Sequence, residues 1–179
     1  MPKHFIYPIY TAIMGLIAIT VVPKKDIRRL AYFAILCGGV FDTLIILAVT
    51  HLLKIGGYIN FGPFGILGIP FFPPIAWTIY FVLYFYTIPQ TKPWVYIFPV
   101  ISAMYSVLFS NVLANLGIFK WNYGQVIVPF LIYLTWNFLN TFAYIRLFEP
   151  DNELANSSTH GRMAFKPALL KKIHYNRKK

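Results

Sequence analysis

Residues 30–53 read LAYFAILCGGVFDTLIILAVTHLL, an apolar run broken by one acid, Asp42. About 20 apolar residues in a helix cover the hydrocarbon core of a bilayer, so this stretch reads as a membrane-spanning helix with a carboxyl group near its middle. The rest of the chain agrees. Of its 179 residues 58% are hydrophobic and 12% charged, about half the ~25% charge of a soluble domain. An outer-membrane barrel is excluded, because it needs alternating segments of about ten residues and these runs are longer and apolar on every side.

The same reasoning gives four further spans. The expected fold is all-α: a polytopic membrane helix bundle with five transmembrane helices at about 5–22, 30–53, 69–88, 94–116 and 125–148, followed by a basic tail over 149–179. Prolines 70, 73 and 74 fall at the start of the third span, where a missing N–H costs least. Trp94 and Trp121 lie at span ends, as interfacial anchors do. Residues 55–68, rich in glycine and aromatics, read as an irregular segment at one interface; a sixth span there would reverse the N-terminal half.

Orientation follows from the basic residues. With five spans, thirteen of the sixteen Lys and Arg side chains collect on one side, and only Lys3, Lys54 and Lys120 remain on the other. The Lys/Arg-rich side is cytoplasmic, which puts the N-terminus outside and the C-terminus in the cytoplasm. The net charge of +11 therefore belongs to membrane topology, and no nucleic-acid partner is expected. Lys171, Lys172, Arg177, Lys178 and Lys179 are placed to meet anionic lipid headgroups, at about 1 kcal/mol per charge.

A charge at mid-membrane costs at least ~2.5–3.5 kcal/mol, so such a residue faces the bundle interior. Gly38 and Gly39 stand one turn earlier on the same face as Asp42 and let a second helix come close. Counting 1.5 Å per residue puts Thr78, Ser106 and Asn137 at a similar depth in three other spans. The expectation is a polar or ligand-binding layer of Asp42, Thr78, Ser106 and Asn137, with Asp42 its one ionisable member. Ser102 and Ser110, spaced four residues either side of Ser106, extend a small-residue stripe suited to helix packing. No cation shares that depth, which favours the neutral acid. His51, nine residues on, falls on the opposite side of an ideal helix.

Catalytic signatures are missing. His4, His51, His160 and His174 are isolated, so no metal site is expected. Glycines 62, 65 and 68 recur every third position, which is not a dinucleotide fingerprint, and no cofactor is expected. Cys37 is the single cysteine and allows no internal disulfide.

Two stretches carry resemblances. In LGIFKWNYGQVIVPFLIYLTWNFL, residues 116–139, the turn with Gly117, Phe119 and Trp121 before a last apolar helix resembles an uncharacterised family of small multi-pass membrane proteins of spore-forming Firmicutes. That resemblance implies a bacterial cytoplasmic (inner) membrane location and no particular activity. GILGIPFFPPIAW, residues 65–77, is similar to a segment of membrane carotenoid hydratases and cyclases, enzymes that bring several acids to an isoprenoid. The leading expectation is a structural or partner-binding membrane protein, self-associating or docked to a membrane partner. The alternatives are an isoprenoid- or lipid-modifying enzyme using Asp42 as general acid beside Trp77 and Tyr80, and a proton-coupled carrier of small solutes. Five spans place Lys3 and Lys179 on opposite faces: in a Cys37→Ala background, Lys3→Cys should react with an impermeant thiol reagent only from outside, and Lys179→Cys only from inside.

Overall fold

The computed structural model describes residues 2–148, so the basic tail and its five named cations lie outside the described residues. Five long helices run through the molecule: α1 (Ile6–Val21), α2 (Lys24–Leu52), α3 (Phe72–Thr87), α4 (Trp94–Asn115) and α5 (Ile127–Phe148). Four short strands join them: β1 (Gly56–Tyr58), β2 (Gly65–Ile66), β3 (Ile69–Pro70) and β4 (Phe119–Trp121). Three helical stretches, Lys3–Val21, Lys24–Leu52 and Trp94–Asn115, are long and apolar enough to cross a membrane unaided. Helix α3 has 16 residues, about 24 Å at 1.5 Å each, and α5 carries Asn137, Asn140 and Arg146 among its apolar residues.

The basic segment after α1, expected as a loop, forms the first turns of α2. Pro23 cannot extend α1. Its extended backbone (ψ 141°) starts the new helix, and its carbonyl accepts the Asp26 and Ile27 N–H groups at 2.8 and 3.0 Å. Asp26 then sits in the first turn, where the helix dipole favours an acid. The third helix begins at Phe72, later than expected, because Ile69 and Pro70 pair with Ile66 and Gly65 in a hairpin. Leu67 and Gly68 turn that hairpin with φ of 53° and 81°, the left-handed pair that a two-residue connection needs.

Helix α2 is not uniform. Wider π turns occupy Ile35–Val40 and Leu47–Leu52, on either side of an α-helical segment that carries Asp42. The first π turn holds a very close helix contact. A Cβ on Gly38 would run into the Trp77 carbonyl, and one on Gly39 would lie 3.2 Å from Thr78 Oγ1. Small residues at 38 and 39 therefore bring α2 and α3 together backbone to backbone.

Helix α3 is the axis of the fold. Pro73, Ala76, Trp77, Phe81, Val82, Tyr84 and Phe85 are all buried, which takes in most of its circumference. It packs on α1 and α2, stacks Phe85 on Tyr144 of α5 at 4.8 Å, and sets Tyr84 against Phe98 of α4 at 4.9 Å. A short helix suits this position because its neighbours, not lipid, cover its sides.

One end of the bundle is capped. Strand β1 pairs antiparallel with β4 (Gly56 with Trp121, Gly57 with Lys120, Tyr58 with Phe119). Bonds from Ile59 N–H to Ile118 O (3.0 Å) and from Asn122 N–H to Ile55 O (2.8 Å) extend the ladder. Side-chain amides close its margins, Asn60 on Gly117 O at 2.8 Å and Asn122 on Lys54 O at 2.7 Å. Tyr7, fully buried on α1, points its hydroxyl at both Ile59 O (2.7 Å) and Ile118 O (2.6 Å). The N-terminus, the α2–α3 connection and the α4–α5 connection thus share this end, and no helix lies between Leu53 and Phe71.

The Gly38 contact gives a contrast. Gly38→Ala should destabilise by about 1–3 kcal/mol, as overpacking does, and shift thermal unfolding of the purified protein downward. Gly15→Ala, where the new methyl would meet Ile79 Cδ1 at an ordinary 3.8 Å, should be neutral or slightly stabilising.

Candidate functional site

Asp42 is 3% exposed. It opens on a cavity of about 30 Å³, measured as room for the centre of a water molecule, directly beneath the cap. Helix α2 contributes Asp42, Ile45, Ile46, Val49 and Thr50, and β1 contributes Gly57 and Tyr58. The remaining wall is Trp77 of α3, Phe119 and Trp121 of β4, and Ile132, Tyr133 and Trp136 of α5. Three helices and both cap strands meet around one carboxyl group.

The aromatic walls form a closed circuit. Ring centroids are 4.8 Å apart for Tyr58–Phe119 and for Phe119–Trp121, 6.4 Å for Trp121–Tyr133 and 5.5 Å for Tyr133–Trp77. Trp77 donates its indole N–H to the Tyr58 hydroxyl at 3.3 Å, which completes the ring, and Trp136 packs on Trp77 at 4.7 Å. Tyr58 belongs to the cap strand, where burial foremost and the nearby Asp42 next raise its hydroxyl above the ordinary tyrosine range. That hydroxyl keeps its proton. Trp121 donates to Ser110 Oγ at 3.3 Å, so it turns into the bundle where an interfacial anchor was expected; pairing of β4 with β1 rotates it inward.

Two polar atoms at this site are buried without a hydrogen-bond partner: Asp42 Oδ2 and Trp136 Nε1. Both residues are more than nine-tenths buried, and both line the cavity. Buried polar groups are nearly always bonded; Thr11 Oγ1 and Asn111 Oδ1 are also unmatched, but here two open groups line one small cavity.

The other members of the expected layer do not line this cavity. Asn137, 1% exposed, accepts the Tyr80 hydroxyl at Oδ1 and the Tyr84 hydroxyl at its carbonyl, both at 3.4 Å. Tyr84 and Thr141 share a 2.6 Å hydroxyl bond. Ser106 donates to Ser102 O at 2.9 Å, Ser110 to Val107 O at 2.9 Å, and Thr78 to Pro74 O at 2.8 Å. Tyr80 also comes close to Ser102 and Ser106. The structure therefore gathers Tyr80, Tyr84, Ser106, Asn137 and Thr141 into one self-satisfied cluster between α3, α4 and α5. Asp42 is not among them and lines the small cavity under the cap.

A second cavity, about 200 Å³ on the same measure, lies between α1, α3 and α4. Tyr10, Met14, Ile17, Tyr80, Leu83 and Phe109 are among its walls. Tyr58 and Trp77 line both cavities and form the partition between them. Asp42 lines only the smaller one. Among the described residues no group of three His, Cys, Asp or Glu side chains could hold a metal.

Sequence reasoning located the acid but missed most of its surroundings. Tyr133 and Trp136, three residues apart on the Asn137 side of α5, were visible as a periodic aromatic pair. Tyr58 and Phe119 come from strands whose pairing no periodicity announces. Compared with protein-family models, curated proteins and solved structures, the chain matches none.

The self-satisfied cluster makes a separable prediction. In a double-mutant cycle, Tyr84→Phe and Thr141→Val should show a coupling of about 1 kcal/mol in unfolding free energy. Asp42→Asn paired with Thr141→Val should show coupling near zero.

Proposed function

We propose that this is a five-span integral membrane protein of the bacterial cytoplasmic membrane, with its N-terminus and cap outside and its tail in the cytoplasm. Its role is binding: the Asp42 chamber receives a small polar guest from the outer face. Five crossings fit the placement of the N-terminus and two connections at one end of the bundle, with Lys24, Lys25, Arg28 and Arg29 in the first turns of α2 and Lys92 in the α3–α4 connection at the opposite end.

One observation carries the binding reading. Asp42 Oδ2 has no hydrogen-bond partner although its residue is almost wholly buried. Leaving a buried polar atom unmatched costs about 1–3 kcal/mol, and more for a charged group. A carboxyl kept only for packing or helix registry would recover that cost from a neighbour, as Tyr84 does from Thr141. An acid that leaves an oxygen open beside an open indole N–H suits a guest that supplies both missing partners. A carrier role would use the same chamber, with Asp42 as its titrating group.

The second reading, an isoprenoid- or lipid-modifying enzyme, draws on the 200 Å³ apolar cavity lined by Trp77 and Tyr80. It ranks lower because Trp77 and Tyr58 stand between that cavity and the acid. A general acid must come within ~3 Å of its target, directly or through one water.

Substituted-cysteine accessibility tests the binding reading. In a Cys37→Ala background, the thiol of Asp42→Cys should react with silver ion added outside, a thiol reagent small enough for a chamber of about 30 Å³, scored by the loss of later labelling after denaturation. Its rate should exceed that of the buried native Cys37 by about tenfold or more, as access governs thiol reactivity. A thiol at 42 that reacts only after denaturation would refute the guest chamber.

A further inference from the structure

Four features of the chamber bear on what its guest is: charge, ring faces, oxygen supply and size. Among the described residues, Asp42 is the only acid on its walls and no Lys, Arg or His lines it. A cationic guest supplies the counter-charge that the protein withholds. An isolated buried carboxylate is strongly disfavoured, whereas one paired and hydrogen-bonded is tolerated.

Six of the thirteen lining residues are aromatic, so ring faces and edges make up much of the surface the guest meets. Aromatic faces carry negative quadrupole potential and attract a cation within about 6 Å, the more so when water is excluded. A hard metal ion suits this lining poorly, since calcium takes six to eight oxygen ligands and magnesium a near-ideal octahedron. Besides Asp42, the side-chain oxygens here are the hydroxyls of Thr50, Tyr58 and Tyr133. An ammonium group needs fewer acceptors and also uses the rings.

Size narrows the class further. A water needs roughly 10–15 Å³ of such volume, so about 30 Å³ takes two water-sized groups. One place suits an –NH3+ donating to Asp42 Oδ2. The other suits an oxygen, from water or from the guest, accepting the Trp136 N–H. A quaternary ammonium, with four carbons around its nitrogen, exceeds that room.

Resting on the binding reading above, we infer that the Asp42 chamber is a recognition site for a primary ammonium group, held by the carboxylate and caged by the rings of Tyr58, Trp77, Trp121, Tyr133 and Trp136. Two sources share this chemistry: free ammonium or a slender alkylamine, and the amino head of an aminophospholipid.

The test uses the full chain in phosphatidylcholine nanodiscs and reads tryptophan emission, because three of the four tryptophans, Trp77, Trp121 and Trp136, line the chamber. Methylammonium chloride is titrated against sodium chloride and tetramethylammonium chloride at equal ionic strength. The expected result is a saturable change with methylammonium, at a midpoint at least about tenfold below either control. Asp42→Asn should weaken it by tenfold or more while keeping helical circular dichroism. If Asp42→Asn fails to fold, Trp136→Phe, which keeps a ring but a poorer cation-binding one, should weaken it several-fold. In discs containing phosphatidylethanolamine, a lipid source shows as the changed emission already present before amine is added, and a free-amine source as an unaltered titration. Either supports the site. Equal responses to sodium or tetramethylammonium, a response untouched in the variants, or no response in either disc would overturn it. An accessible thiol at position 42 with no amine response would leave the chamber standing and remove only the ammonium; an inaccessible thiol would remove both.

Discussion

Backbone amides cannot be left unpaired away from water, and that constraint organises the capped end of this molecule. Residues 55–71 and 117–124 are interrupted by glycines and form no long helix, yet they cover an apolar bundle. Each would lose hydrogen bonds to water without a partner. They solve this together through the β1–β4 ladder, with Asn60 and Asn122 taking two further carbonyls at 2.8 and 2.7 Å and the Tyr7 hydroxyl set to donate to Ile59 O or Ile118 O. The ladder also brings Gly57, Tyr58, Phe119 and Trp121 over Asp42. Without it there is no roof, and the acid would stand at the bottom of an open funnel.

The second organising feature is the approach of α2 to α3. Gly38 sits so close to the Trp77 backbone that no side chain fits between, and the π turn at Ile35–Val40 adjusts the helix around that contact. Single π turns often occur at functional sites because they re-aim the residues that follow. Here the residue re-aimed is Asp42. The packing contact and the site are coupled: the glycine that docks the helix also sets where the carboxyl points. Trp77 takes part in both, through its backbone against Gly38 and its ring between the two cavities.

The polar residues of the membrane region thus divide into two kinds. Tyr80, Tyr84, Asn137 and Thr141 satisfy one another, and their cluster contributes to stability and specificity in a setting where each exposed polar atom would be costly. Asp42 and Trp136 do not; Thr11 Oγ1 and Asn111 Oδ1 are also unmatched, but only Asp42 and Trp136 line the chamber together. Within one bundle, the bonded cluster shows how this chain treats polar groups that serve packing, and the unbonded pair departs from that treatment. The departure, more than the mere presence of an acid, gives Asp42 a functional reading.

Much of the architecture was legible in the sequence because bilayer physics is local. Length and apolarity marked the five helical segments, and they lie within a few residues of the observed helices. The cost of a buried charge required Asp42 to face inward, and Gly38 and Gly39 announced a close helix contact. Depth counting set Asp42, Ser106 and Asn137 at one level; Ser106 and Asn137 both meet Tyr80, whereas Asp42 lines the cavity under the cap, since depth along an axis carries no information on rotation about it. Tertiary structure decided that rotation, through π turns that ideal helix geometry does not anticipate. It also decided the strand pairing that carries Tyr58, Phe119 and Trp121 across roughly sixty residues of sequence to meet above the carboxyl. Such contacts depend on how distant segments satisfy each other's backbone groups, and no single stretch of chain contains that information.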